Sequence, residues 1–383
     1  MPTTESAVRR RPKDRNVQIL AAARELFVEL GYRNVSMAQI AQRVGITAGA
    51  LYRHFSNKSV LLDAVIWASF DDVTPAFDST ASLADTLAES CGKAVARRDV
   101  GTLWWRESRN LPEDMRTPLR DRLRAVNRQY ADRIRAQRPT LSEPGALALA
   151  WGVQSILASV SSHSSRIGEI EFTGLLTGAC EALCAVELSP ARVMPKRRPT
   201  GLEPVSKRES LLSHAIALFD EKGYEATGLD DIGAAAGVTG PNLYGYFENK
   251  AHILDAAVDR GTNALWLLMH AVLRRNDEPQ RALADLVAGY IQLAIDKTIL
   301  TSLLLTERHA LSDLTRIRQR EYIAEWVALL RADRADLDEG TARVLVHTAL
   351  GVIHTMAEIE SLQANAEFPA DLAAMAMAVL YSK

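Results

Sequence analysis

The sequence predicts an all-α protein built of two tandem units, each a helix-turn-helix head followed by a larger helical domain. Three observations carry that expectation. The stretch Leu51-Tyr52-Arg53-His54-Phe55-Ser56-Asn57-Lys58 returns as Leu243-Tyr244-Gly245-Tyr246-Phe247-Glu248-Asn249-Lys250, an ungapped offset of 192 residues. A period that long marks a duplicated domain, not a solenoid repeat. Leu, Ala and Arg are plentiful and β-branched runs are scarce, which favours helices. Finally, 383 residues with 48% apolar and 24% charged side chains suit two domains with substantial cores.

In the first copy Ile19, Ala22, Ala23, Leu26, Phe27 and Leu30 fall on one face of a helix. Gly31-Tyr32 stops it, glycine being able to take the left-handed conformation at a helix end. Ser36 followed by Gln39 is a capping box for a short second helix that turns Ile40, Ala41 and Val44 inward. Gly45 supplies the turn. Thr47 caps a third helix from Ala48 to about His54, and Asn57 caps a fourth beginning at Lys58. The second copy repeats the plan with Leu211, Ala215, Leu218 and Phe219 on the first stripe, Gly223-Tyr224 at its end, Ile232, Gly237 and Thr239. Pro241 falls in the first turn of its third helix, where a missing N–H is tolerated. Gly228 replaces Ser36, a weaker cap, with Asp231 well placed for the helix N-terminus.

The boundaries expected are a basic arm over 1–15, heads over 16–65 and 206–257, helical domains over 66–188 and 258–383, and a linker over 189–205. Longer amphipathic helices are expected over 58–72, 83–98, 100–110, 115–138, 144–166 and 169–187. Those of the second half are expected over 250–276, 279–297, 300–310, 313–333, 338–364 and 369–381. The repeat continues weakly, with Leu103, Glu107, Leu111 and Arg116 answering to Leu303, Glu307, Leu311 and Arg316.

Charge separates the two heads. Residues 1–65 hold ten Lys/Arg against five Asp/Glu, whereas 206–257 hold four against eight, although the whole chain is only −2. A phosphate backbone responds to the charge of each module. No run of about 18 apolar residues suggests a membrane span. The N-terminus lacks the apolar stretch of a signal peptide, so a cytoplasmic protein is expected. Cys180 and Cys184 share a helix face; buried small residues and a thiol sensor are the two readings.

Both heads resemble the DNA-binding head of tetracycline-repressor (TetR) type regulators, whose pattern runs from Ala-x-x-Leu-Phe-x-x-x-Gly-Tyr through Ile-Ala to Gly-Val-Thr and Leu-Tyr-x-His-Phe-x-x-Lys. The likeness covers about fifty residues in each half. More narrowly, Arg9-Arg10-Arg11-Pro12-Lys13-Asp14-Arg15, the duplication and Leu103-Trp104-Trp105-Arg106-Glu107-Ser108-Arg109 resemble the tandem repressors of mycobacterial lipid-uptake (mammalian-cell-entry) operons. The resemblance implies double-stranded operator DNA and a small apolar effector as partners, with no cofactor, metal or membrane.

By the same resemblance, Ser36, Thr47, Tyr52, His54 and Lys58 lie at the DNA, with Ala48, Gly49, Ala50 and Arg53 toward base edges. In the second head Thr239, Tyr244, Tyr246 and Lys250 take the phosphate roles, and Gly240, Pro241 and Asn242 face bases. Hydroxyls and helix N-termini suit phosphate, and small residues allow close approach to the groove. Packing at a helix end is the alternative for Tyr52 and Tyr244. For Arg9–Lys13, and for Lys196-Arg197-Arg198 in the linker, a solvated tail stands beside DNA contact.

In this family the last two long helices of each subunit form a four-helix dimer interface. Here 144–187 and 338–381 supply two such pairs in one chain, which implies an intrachain pseudo-dimer acting as a monomer. The effector site is expected among Trp104, Trp105, Arg106, Glu107, Trp266, Glu307, Arg308 and His309, with core packing the alternative for the tryptophans. An enzyme finds no support, because no nucleophile–base pair, phosphate loop or metal-ligand spacing occurs. His347 and His354 share a helix face and read as core or interface residues. A helical interaction module with a degenerate second head is the remaining alternative function.

Overall fold

A computed structural model describes residues 12–78, 80–161, 167–190, 192, 202–224, 226–238, 240–297 and 312–383. All regular elements among them are helical. The first head comprises α1 (Pro12–Leu30), α2 (Met37–Val44) and α3 (Ala48–His54), and α4 (Lys58–Val73) leads out of it. The local signals explain these bounds. Ser36 and Gln39 close a reciprocal capping box, and Gly45 takes the left-handed conformation at φ 72°. Thr47 and Asn57 each accept a backbone N–H from three residues on. Ile19, Phe27, Ile40, Leu51 and Leu62 are fully buried at the centre.

Next come α5 (Leu83–Ala96), a short α6 (Asp99–Thr102), α7 (Glu113–Gln137), α8 (Glu143–Ser159) and α9 (Glu169–Cys184). The second head holds α10 (Lys207–Lys222), α11 (Leu229–Ala235) and α12 (Gly240–Leu243), followed by α13 (Lys250–Arg275) and α14 (Pro279–Ile295). After them come α15 (Asp313–Asp333), α16 (Glu339–Ala357), α17 (Glu360–Gln363) and α18 (Phe368–Leu380).

Three expected helices come out differently. The single helix expected over 100–110 is α6, then a π-helical turn (Leu103–Glu107), then a 3-10 turn (Ser108–Asn110). A π turn adds a residue to the turn and re-aims the side chains that follow. Here it sends Leu103, Arg106 and Glu107 all to the first head. The helix expected over 144–166 ends at Ser159, and 162–166 lie outside the described residues. The one expected over 338–364 breaks after Ala357, where Ile359 is extended. The expected helix 300–310, with Glu307, Arg308 and His309, falls outside the described residues, as do Thr239, Arg9–Arg11 and Lys196-Arg197-Arg198.

By its contacts the chain divides into one unit of residues 1–74 and 97–124 and another of 75–96 and 125–383. The first is the first head with its core extended by Leu103, Leu111 and Leu119. The second contains the later helices of both halves, because α8 packs on α16 and α9 packs on α18. Small residues set that approach: a Cβ placed on Gly351 of α16 would lie 2.6 Å from the Ser159 Cβ. Past α9 the chain stays on the second half, with the Ser189 N–H donating to Asp371 and the Arg192 N–H to Asn365, each at 2.9 Å. These are the helix pairs expected to meet as a four-helix arrangement.

Candidate nucleic-acid interface

In the first head the side chains that clothe the outer face of α3 are solvent-facing. Leu51 is buried, while Thr47, Gly49, Arg53 and His54 are exposed and Tyr52 is 51% exposed. Ala48 and Ala50 are half-buried, and a Cβ on Gly49 would meet nothing within 4 Å. A short helix with small residues in its first turn and a cation in its last is therefore presented outward. Ser36 sits at the start of α2, where its hydroxyl accepts from the Gln39 N–H at 3.2 Å. The α1–α2 contact is held by Arg15, which donates to the Val44 carbonyl, and by the Arg43–Glu25 pair at 3.1 Å.

The second head shares this frame but not its reading face. Leu211, Phe219, Ile232, Leu243 and Phe247 form its core. In place of the Ser36 box, the Gly228 N–H donates to Asp231 at 2.9 Å, so half of the reciprocal cap survives. The reading helix α12 has four residues against seven in α3, and continues as turns through Tyr246. Gly245 in place of Arg53 is the physical reason, since glycine inside a helix costs about 1 kcal/mol relative to alanine. Asn242 is exposed, and Tyr244 and Tyr246 are 60% and 40% exposed. Gly240 and Pro241 open α12.

Lys58 and Lys250 are placed differently from the phosphate-facing expectation. The Lys58 ammonium donates to the Tyr32 and Val35 carbonyls at 3.0 and 2.9 Å and lies over the Tyr32 ring, 4.2 Å from its centroid. Burial, aided by Arg33, holds its pKa below the ordinary lysine value. Lys250 repeats the arrangement on the Tyr224 and Thr227 carbonyls, 4.4 Å from the Tyr224 centroid. With at least two N–H bonds committed inside, each lysine fastens the loop before the reading motif to the helix that leaves the head. The two repeats use Tyr and Lys at one spacing for one purpose. That purpose was invisible in the one-letter pattern, because the acceptors are backbone carbonyls.

Arg106 and Glu107, expected in an effector cavity, instead form the underside of the first head. Arg106 donates to the Phe27 and Val28 carbonyls, both at 2.8 Å, at the end of α1, where the Phe27 carbonyl also accepts the Gly31 N–H at 3.0 Å. Glu107 is buried, pairs with Arg106, and accepts the Tyr32 N–H at 3.1 Å and Asn110 at 3.2 Å. Trp104 packs on Phe70 with ring centroids 5.7 Å apart; the Trp105 side chain is outside the described residues. In the second half Lys297, at the end of α14, pairs with Asp220 of α10 at 3.4 Å and with Glu358. Trp266 lies against Tyr322, at 5.7 Å between centroids.

Cys91 joins the pair singled out from sequence: its sulfur lies 3.9 Å from that of Cys180, and all three thiols are free and buried. Burial pushes the Cys184 thiol up to about 12, which suits inert packing. His354 is buried with its Nε2 2.6 Å from the Tyr290 hydroxyl. Among the described residues no group of His, Cys, Asp and Glu is arranged to hold a metal ion, and no helix is long and apolar enough to cross a membrane.

The family comparison bears on the heads. The family of bacterial regulatory proteins, tetR family, matches at residues 19–65 and again at 211–257. The HTH-type transcriptional regulator HbdR of Aromatoleum sp. is 26% identical over 136 residues, 32% of this chain and 58% of its own length. The HTH-type transcriptional activator FasR of Mycolicibacterium smegmatis is 43% identical over 65 residues, 17% of this chain and 30% of its own. The chain thus spans less than two thirds of either relative. A crystal structure of a TetR-family transcriptional regulator from Bordetella parapertussis 12822 is 22% identical, covering 46% of this chain and 95% of that one with a TM-score of 0.43. Each of the two helix-turn-helix heads in this chain is therefore similar to the bacterial regulatory proteins of the tetR family.

Proposed function

We propose that this chain is a transcriptional repressor that binds an operator through both heads and is released by a small, largely apolar effector, lipid- or sterol-like in character. The observation that carries the reading is the outward face of α3, with Thr47, Tyr52, Arg53 and His54 exposed over a buried, capped frame, and its altered copy at Asn242, Tyr244 and Tyr246. Hydroxyls hold register on phosphates, whereas Arg53 and Asn242 reach base edges. The packing of α8 and α9 on α16 and α18 supports a single chain acting as its own dimer, since tethering makes that docking independent of concentration. The likeness of Arg9–Arg15 and Leu103–Arg109 to repressors of mycobacterial lipid-uptake operons supports the effector class. The relative KstR2 of Mycolicibacterium smegmatis, a transcriptional repressor 25% identical over 142 residues, supports repression as the outcome.

A helical interaction module with a silent second head is the competing reading, favoured by that head's excess of acids and four-residue α12. Gel shifts against genomic upstream fragments and random DNA separate the two. A repressor gives at least about 10³-fold preference for its operator, with affinity falling steeply as salt rises. Equal, weak binding to both DNAs at all salt concentrations would refute the proposal.

A further inference from the structure

The second half carries a cluster of rings unlike anything described in the first. Tyr290 of α14, Tyr322 and Trp326 of α15 and His354 of α16 meet with Trp266 of α13, at centroid separations from 5.6 to 6.4 Å. Trp326 is fully buried and Tyr322 is 4% exposed, yet the Trp326 indole N–H and the Tyr322 hydroxyl have no hydrogen-bond partner among the described residues. The Gln319 side-chain nitrogen, one turn before Tyr322, is likewise buried and unpartnered. Three unmet donors at i, i+3 and i+7 lie on one face of α15. Burial raises the Tyr322 pKa above its ordinary value and the neighbouring Trp326 indole N–H opposes that rise, so the two groups face one place. The buried Tyr130 and Asn127 of the first half are satisfied: the Tyr130 hydroxyl is 2.7 Å from the Ser90 hydroxyl, and Gln154 donates to Asn127, which donates to the Leu147 carbonyl.

We infer that the Gln319–Tyr322–Trp326 face of α15 is a ligand-recognition site, taking an uncharged, ring-bearing molecule whose carbonyl or hydroxyl oxygen accepts from Tyr322 and Trp326. The reasoning is one of accounting for donors. A buried donor left unmade costs more than a made bond returns, and native interiors rarely leave three on one stripe. A tryptophan N–H and the nitrogen of a glutamine amide can only donate, so the occupant must bring an acceptor. The surrounding rings favour a flat, apolar body. An anion finds no fixed positive charge among these five rings, since His354, held near 4 by burial, is neutral at pH 7. This deepens the proposed function and rests on it only in that the occupant would act as the effector.

The test uses the full chain without DNA, so its failure leaves the operator reading untouched. Equilibrium dialysis compares 2-naphthol, naphthalene and 2-naphthoate on the wild type and on Tyr322→Phe, which removes the hydroxyl and keeps the ring. The site predicts binding of 2-naphthol at one per chain, about tenfold tighter than naphthalene, with 2-naphthoate weakest. In Tyr322→Phe the preference for 2-naphthol collapses to near unity while naphthalene binding holds. The ligand-free melting temperature of Tyr322→Phe stays level or rises, because the hydroxyl has no partner to lose. Absence of 2-naphthol binding, an unchanged preference in the variant, or a clear fall in its melting temperature would each overturn the assignment.

Discussion

At the scale of single residues, the two lysines separate a fastening role from a DNA-contacting one. Lys58→Met keeps the aliphatic stem but removes two charged hydrogen bonds and the contact over Tyr32. A loss of about 2 kcal/mol in urea unfolding is expected. The slope of log affinity against log salt should hold steady, because the ammonium serves carbonyls. A slope lowered by about 1 would instead return Lys58 to the phosphates. His354 offers a pH readout. Burial, reinforced by His347 and opposed by Glu358, lowers it from 6.5 to about 4. Between those values the unfolded chain takes up a proton that the folded chain refuses. Its contribution is therefore complete above about pH 6.5 and is lost as pH falls toward 4, by up to roughly 3 kcal/mol. Urea midpoints at pH 7.5 and 4.5 should differ more in the wild type than in His354→Gln; equal differences would remove the histidine from the acid response.

At the scale of elements, caps and turns made the heads legible. Ser36, Gln39, Gly45, Thr47 and Asn57 act on atoms within three or four residues, so spacing alone located α2, α3 and α4. What spacing could not reach was the segment over 99–110, whose π turn answers to carbonyls and an amide lying 75 to 79 residues away. Arg106 and Glu107 are the hinge point of that contact. Glu107→Ala would leave a half-buried guanidinium half-paired and the Tyr32 N–H without its acceptor, costing about 2 kcal/mol. Since Lys58 grips the Tyr32 carbonyl while Glu107 takes the Tyr32 N–H, a shift in 103–110 bears on the same loop from which the reading motif starts. Operator affinity of Glu107→Ala should fall, and Glu107→Gln, which keeps an acceptor, should recover most of it. Full operator affinity in a folded Glu107→Ala would show that the segment passes nothing to the head.

At the scale of the whole molecule, duplication frees each head to change alone. A homodimer meets DNA with two identical helices and so reads a palindrome. In this chain the positions proposed to face the groove differ at Ala48 and Gly240, Gly49 and Pro241, Ala50 and Asn242, and Arg53 and Gly245. Arginine donates twice to guanine, whereas asparagine is suited to adenine, so the two half-sites should differ in sequence. Net charges of +5 over 1–65 and −4 over 206–257 leave most of the phosphate attraction to the first head. Arg53→Ala should therefore cost more affinity than Asn242→Ala, with about 1–3 kcal/mol lost for the arginine and discrimination relaxed at one base pair. In the proposed pseudo-dimer, the packing of α8 on α16 stands in for a second copy. Selection of sites from random DNA, with native mass spectrometry of the winning complex, should return one chain on an asymmetric site. A perfect palindrome carrying two chains would mean that the heads pair between molecules, and the asymmetry of α3 and α12 would then need another explanation.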